Sequence, residues 1–136
     1  MNISLSTTVK SALNALIDPP RELWKRSVNR RRGIKDIDVH EALRRIGQGA
    51  VVLDVREQDE YDRGHVAGSI LIPLGALLGR VAEIQESKSR EIVVICHGGK
   101  RSATACGQLA QVGFGKTFNI AGGILAWNKA GLAVVK

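Results

Sequence analysis

Cysteine is nearly missing: Cys96 and Cys106 are the two in 136 residues. That count excludes a disulfide-stapled secreted scaffold and leads us to expect a reducing, cytoplasmic setting. Ligands for a structural zinc, which needs about four in close grouping, are equally short. His65, Cys96, His97 and Cys106 show none of the paired spacings. A structural metal is therefore not expected. Aromatic residues make up 4% of the chain and proline occurs three times, against 15 glycines. Little ring surface and many tight-turn residues suit a compact α/β protein better than a β-sandwich. No run approaches the roughly 18 apolar residues of a membrane span. A secretory signal is not expected either, because the first charge is Lys10 and no apolar stretch follows it. What is present, 44% hydrophobic and 24% charged residues, is ordinary for one globular domain and excludes global disorder.

Acidic residues are outnumbered, 13 to 20, for a formal net charge of +7. The excess is uneven. Residues 1–33 carry Lys10, Arg21, Lys25, Arg26, Arg30, Arg31 and Arg32 against Asp18 and Glu22. Leu5, Val9, Leu13, Leu16 and Ile17 follow helical spacing until Asp18-Pro19-Pro20 stops them. A second short helix from Pro20 would carry Leu23, Trp24 and Val28. The segment reads as a basic helical appendage, packed on the domain or frayed. Its alternative role is contact with an acidic membrane surface or a protein partner. The arginine run lacks interleaved aromatics or a base-reading motif, so nucleic acid is not an expected partner.

From Gly33 onward, strand and helix patterns alternate. Residues 34–37 read as a short strand. Asp38 then caps a helix that turns Val39, Ala42, Leu43 and Ile46 inward and stops at Gly47 or Gly49. Residues 50–55 form an apolar strand broken by Asp54 alone, 57–63 a turn of helix, and 69–72 a strand stopped by Pro73. A helix over 75–86 would bury Leu77, Leu78, Val81 and Ile84. There follow a strand over 91–95 and a helix over 102–112 with Ala105, Leu109 and Val112 on one face. A strand over 114–119 and a helix over 122–130 complete the pattern. Such alternation implies βα units and a mainly parallel sheet.

The buried strand ending at Ile95 breaks at Cys96-His97-Gly98-Gly99-Lys100-Arg101. Ligands of open α/β sheets bind beyond the carboxyl ends of the strands. A helix N-terminus there offers unpaired N–H groups and a positive dipole end. Those amides, with Lys100 and Arg101, favour a thiolate, and inert cysteines avoid such electropositive settings. Gly98 and Gly99 let the backbone curl so that several N–H groups point inward. Asp54 inside its apolar run must be paired, with Arg56 or a nearby N–H as the candidate partner. His65 reads as a satisfied structural histidine rather than a base. Cys106 could resolve an oxidised Cys96, but its place beside Ala105 and Leu109 favours core packing.

Three stretches, in order, carry a resemblance. They are Asp54-x-Arg56 with Glu60-Tyr61-x-x-Gly64-His65-Val66-x-Gly68-Ser69 and Ile72-Pro73; Cys96-x-x-Gly99-Lys100-Arg101-Ser102; and Ala121-Gly122-Gly123-x-x-Ala126-Trp127 with Ala130-Gly131-Leu132. Together they resemble the single-domain rhodanese (thiosulfate sulfurtransferase) family over roughly residues 34–136, although Ala133 stands where proline is common. The resemblance implies a rhodanese-like three-layer α/β sandwich: a five-stranded, mainly parallel sheet with helices on both faces. It implies Cys96 as the catalytic residue, with His97, Gly98, Gly99, Lys100, Arg101 and Arg56 binding substrate. The implied chemistry moves sulfane sulfur from thiosulfate or a persulfide to a thiol or cyanide through a Cys96 persulfide, without a cofactor. In thiosulfate-specific two-domain relatives an arginine can precede the tyrosine; here that residue is Glu60, which argues for a persulfide donor.

Rival readings fit less well. Phosphatases and arsenate reductases on this scaffold need five residues between cysteine and arginine, and here four separate Cys96 from Arg101. A nucleotide-binding P-loop is excluded because Val94 stands where its first glycine would be. A non-catalytic docking or targeting module usually lacks the nucleophile, which this chain keeps.

Overall fold

The computed structural model describes residues 33–136. The expected N-terminal helices lie outside the described residues. Strands Asp36–Ile37 (β1), Val51–Asp54 (β2), Ile70–Leu71 (β3), Ile92–Ile95 (β4) and Thr117–Ile120 (β5) form one sheet in the order β1-β5-β4-β2-β3. Every neighbouring pair is parallel. Helices Val39–Gly47 (α1), Gln58–Asp62 (α2), Lys100–Gln111 (α3) and Gly123–Lys129 (α4) connect and cover it. This is the expected architecture. No helix among the described residues is long and apolar enough to cross a membrane.

Alternation along the strands assigns the two faces. Leu53, Val55, Ile92, Val94 and then Cys96 join one apolar cluster with Ala105, Cys106 and Leu109 of α3. Val52, Val93 and Ile95 join the other, with Val39 and Ala42 of α1 and Ile124 and Trp127 of α4. All four residues of β4 are buried, as a central strand covered on both faces requires. The Cys96 side chain thus belongs to the α3 side.

Several expected details are corrected. Asp38 does cap α1, its Oδ1 accepting from the Glu41 amide at 2.8 Å. Leu43, expected inward, is 45% exposed. It lies about 100° around the helix from buried Ala42, and the narrow inward face belongs to Val39 and Ala42. The helix expected over 75–86 is wound instead as tighter 3-10 turns over Leu74–Ala76 and Leu78–Ser87. Its Ala76 and Arg80 amides donate to Pro73 O at 2.8 Å and Leu77 O at 3.1 Å. At about three residues per turn, Leu78 points well away from buried Leu77 and faces solvent. Helix α3 ends at Gln111, and the chain turns through Gly113 (φ +94°). Phe114, rather than the expected Val112, then drops into the core. The last strand therefore begins at Thr117, not at 114.

Candidate active site

Strand β4 delivers Cys96 to the carboxyl end of the sheet, and α3 begins at Lys100, two residues earlier than expected. Only residues 96–99 separate strand from helix. Gly99, in the left-handed region at φ +101°, caps the helix, and a Cβ there would sit 3.2 Å from the Gly122 amide nitrogen. Gly98 has no positive φ and open space around it. The need for glycine expected at both positions therefore falls on Gly99.

The Cys96 sulfur is buried, 1% exposed, and accepts the Gly99 N–H at 3.1 Å. The Ser102 hydroxyl lies 3.2 Å away. The loop is held from behind by the turn into α4. Ile124 and Leu125 amides donate to Cys96 O at 2.8 Å and His97 O at 3.2 Å. Gly123, at φ +58°, lies so close that a Cβ would meet Cys96 O at 2.4 Å. The glycine pair at 122–123 is therefore the physical seat of the loop.

Of the expected substrate-binding cations, Lys100 is exposed, but Arg101 is engaged. Its Nη1 and Nη2 donate to the two Glu60 carboxylate oxygens at 2.7 and 2.8 Å. This bidentate bond pulls the Glu60 carboxyl down to about 2 and raises Arg101 further. Glu60 also accepts the Glu57 amide at 3.1 Å, which fixes it at the start of α2.

Arg56 is turned inward. It is 3% exposed and its Nε and Nη2 grip Asp54 at 2.8 to 3.1 Å. Its Nη1 and Nη2 also bond Glu60 O at 3.2 Å and Gly64 O at 2.9 Å. Asp54 is thus paired as anticipated, and Arg56 braces the segment around the site with most of its donors spent. His65 is structural as expected: it stacks on Tyr61 at 3.6 Å, and its Nδ1 meets Tyr61 O at 2.9 Å. Its backbone pairs with Val135, which brings the chain's last residues beside the site.

An open cleft of about 360 Å³ lies against the loop, with Arg56, Glu60, His97, Arg101, Ile124 and Asn128 in its walls. A larger cavity, about 550 Å³, lies by Gly33, Cys106 and Gly115, away from the Cys96 loop. Burial pushes the Cys106 thiol up to about 12, which leaves it a poor nucleophile and fits core packing.

The sequence reading missed Ser102, Asn119 and Gly123 as parts of the site. Asn119 lies in the mixed stretch Thr117-Phe118-Asn119-Ile120, where a polar residue does not stand out as Asp54 does in its apolar run. The role of Gly123 had no local signal, because the atoms it approaches are 26 and 27 positions away in sequence.

Comparison with known proteins agrees with this architecture. The model of the rhodanese-like domain matches residues 38–130. A sulfurtransferase of Allochromatium vinosum is 32% identical over 104 residues, covering 75% of this chain and 95% of that protein. Thiosulfate sulfurtransferase 18 of Arabidopsis thaliana is 35% identical over 106 residues, covering 69% and 78% respectively. The crystal structure of a rhodanese-related protein from Thermoplasma volcanium superposes with a TM-score of 0.68 at 34% identity, covering 74% of this chain and 97% of that one. With these matches and a cysteine loop set at the end of the central strand, the chain belongs to the rhodanese-like domain family.

Proposed function

We propose that the protein is a sulfurtransferase that carries sulfane sulfur on Cys96. The observation that carries this reading is the Cys96 sulfur at the floor of a short loop, receiving the Gly99 amide at the head of α3. In the first half-reaction the Cys96 thiolate attacks the sulfane sulfur of the donor. A Cys96 Sγ–S bond forms, the donor's S–S bond breaks, and sulfite or a thiolate leaves with the electron pair. The anionic outer sulfur is stabilised by loop amides and by the positive end of α3. An acceptor thiolate, or cyanide in an assay, then takes that sulfur, and Cys96 leaves as thiolate.

The Glu60–Arg101 pair bears on donor choice. With both guanidinium forks on a carboxylate, Arg101 presents little net charge to a doubly anionic donor. We therefore assign a protein or low-molecular-weight persulfide as the natural donor, with thiosulfate a slower substitute. The same pairing counts against a phosphatase, whose loop arginine must be free to grip a phosphoryl group. His97 and Lys100 are exposed at the loop, which supports assigning them contact with donor or acceptor. The unpaired cysteines fit a reducing, cytoplasmic setting.

Thiosulfate:cyanide turnover combined with intact-mass measurement tests the reading. Incubation with a donor should add one sulfur, removable by dithiothreitol and abolished by Cys96→Ser. Hydrolysis of an aryl phosphate without sulfur uptake would overturn it in favour of a phosphatase. Neither activity, with Cys96 intact, would leave the docking module. Deletion of residues 1–33 should leave turnover unchanged if that segment is an appendage, and flotation with acidic liposomes tests its contact with membranes.

A further inference from the structure

A buried chain of side chains runs from the Cys96 sulfur to an edge of the sheet. Ser102 Oγ lies 3.2 Å from Sγ and donates to Asn119 Oδ1 at 2.5 Å. Asn119 Nδ2 in turn donates to Asp36 Oδ1 at 2.8 Å. Cys96, Ser102 and Asn119 are each at most 1% exposed, so no bulk water substitutes for a missing partner. Asp36 and Asn119 are register partners on β1 and β5, which places both side chains on one face.

Proton counting fixes the direction of these bonds. A carboxylate only accepts, so the Asn119 edge facing Asp36 must be its NH2 and the edge facing Ser102 its carbonyl. Ser102 has a single hydroxyl proton, and that carbonyl takes it. Toward Cys96 the hydroxyl then offers lone pairs alone, which suits a thiol S–H. A thiolate has no proton to give, and neither does the inner sulfur of a persulfide. The Gly99 amide already donates to the sulfur; a second donor reaches either form only if the hydroxyl swings to sulfur and strips a buried carbonyl of its own.

We infer that Asn119, oriented by Asp36, is a positioning residue that acts through Ser102 and favours the thiol form of the resting Cys96. The inference deepens the sulfurtransferase reading by adding a control on the same nucleophile. It needs only that Cys96 react as a thiol.

The test is the pH profile of Cys96 alkylation by iodoacetamide in the intact protein. Asn119→Leu frees Ser102 to donate to sulfur, so the apparent midpoint should fall by about one pH unit, a tenfold faster reaction on the rising limb. In a Ser102→Ala background the same substitution should move nothing. The other charged and titratable groups around Cys96 are Arg101 and Lys100 in the first turn of α3, Cys106 further along it, His97 in the loop, and Glu60 and Arg56 beyond Arg101. They are common to parent and variant and cancel in the comparison.

Should Asn119→Leu fail to fold, Asp36→Asn decides the matter. It lets the Asn119 amide turn over and lowers the midpoint partly through Ser102 and partly through lost charge. Only the first part disappears with Ser102→Ala. Superimposable profiles, or a shift of equal size with and without Ser102, overturn the inference. Alkylation does not require turnover, so a protein that takes up no sulfur refutes the proposed function while leaving this test standing.

Discussion

Replacing Glu60 by glutamine keeps an acceptor for the Glu57 amide while removing the charge that holds Arg101. The depression of the Glu60 carboxyl from 4.5 to about 2 corresponds to about 3 kcal/mol at most. The Glu60 and Arg101 side chains are 21% and 34% exposed, so solvent screening reduces this to about 1–2 kcal/mol. Because the folded-state value lies below the unfolded one, the stabilisation is fully present above about 4.5. It drains away as pH falls toward 2. Urea unfolding of parent and Glu60→Gln should therefore differ by about 1–2 kcal/mol at pH 7 and converge only as pH falls to about 2. The variant should also use thiosulfate with a severalfold lower KM, since a guanidinium fork is released beside the loop. An equal stability gap at both pH values would refute the ion-pair account. An unchanged KM for thiosulfate would refute its bearing on donor choice.

Four further outcomes follow from contacts around the site. Arg56→Met should cost about 3–5 kcal/mol in urea unfolding, because it leaves Asp54, 0% exposed, as an uncompensated buried charge; a loss under 1 kcal/mol would refute the bracing role. Gly123→Ala should lower the melting temperature and slow Cys96 alkylation at least tenfold, since its Cβ collides with the backbone of Cys96 and His97. Gly98→Ala, with open space around it, should melt within about 0.5 kcal/mol of the parent. Iodoacetamide at pH 8 should add one alkyl group to the native protein and two to the denatured one, because burial keeps Cys106 protonated; two groups added to the native state at similar rates would refute that.

What the sequence disclosed was local in origin. The run Ile92–Ile95, the break at Cys96 and the glycines after it lie within ten residues, so strand, turn and helix could be read together. Asp54 betrayed its partner because Arg56 is two residues away. The Glu60–Arg101 bond joins residues 41 positions apart, and Asn119–Asp36 spans 83. No periodicity encodes such pairs. The errors at Leu43, Leu78 and Val112 share one cause. Each sits at the rim of an apolar face, where a change of pitch or the exact end of a helix decides which residue turns inward.

The sheet places its long strands in the middle and its shortest at the rims, with β1 and β3 only two residues each. A stray extended peptide approaching either border would find at most a pair of residues to zip against. Among the described residues, self-templated fibril growth by border addition is thereby starved of a landing strip.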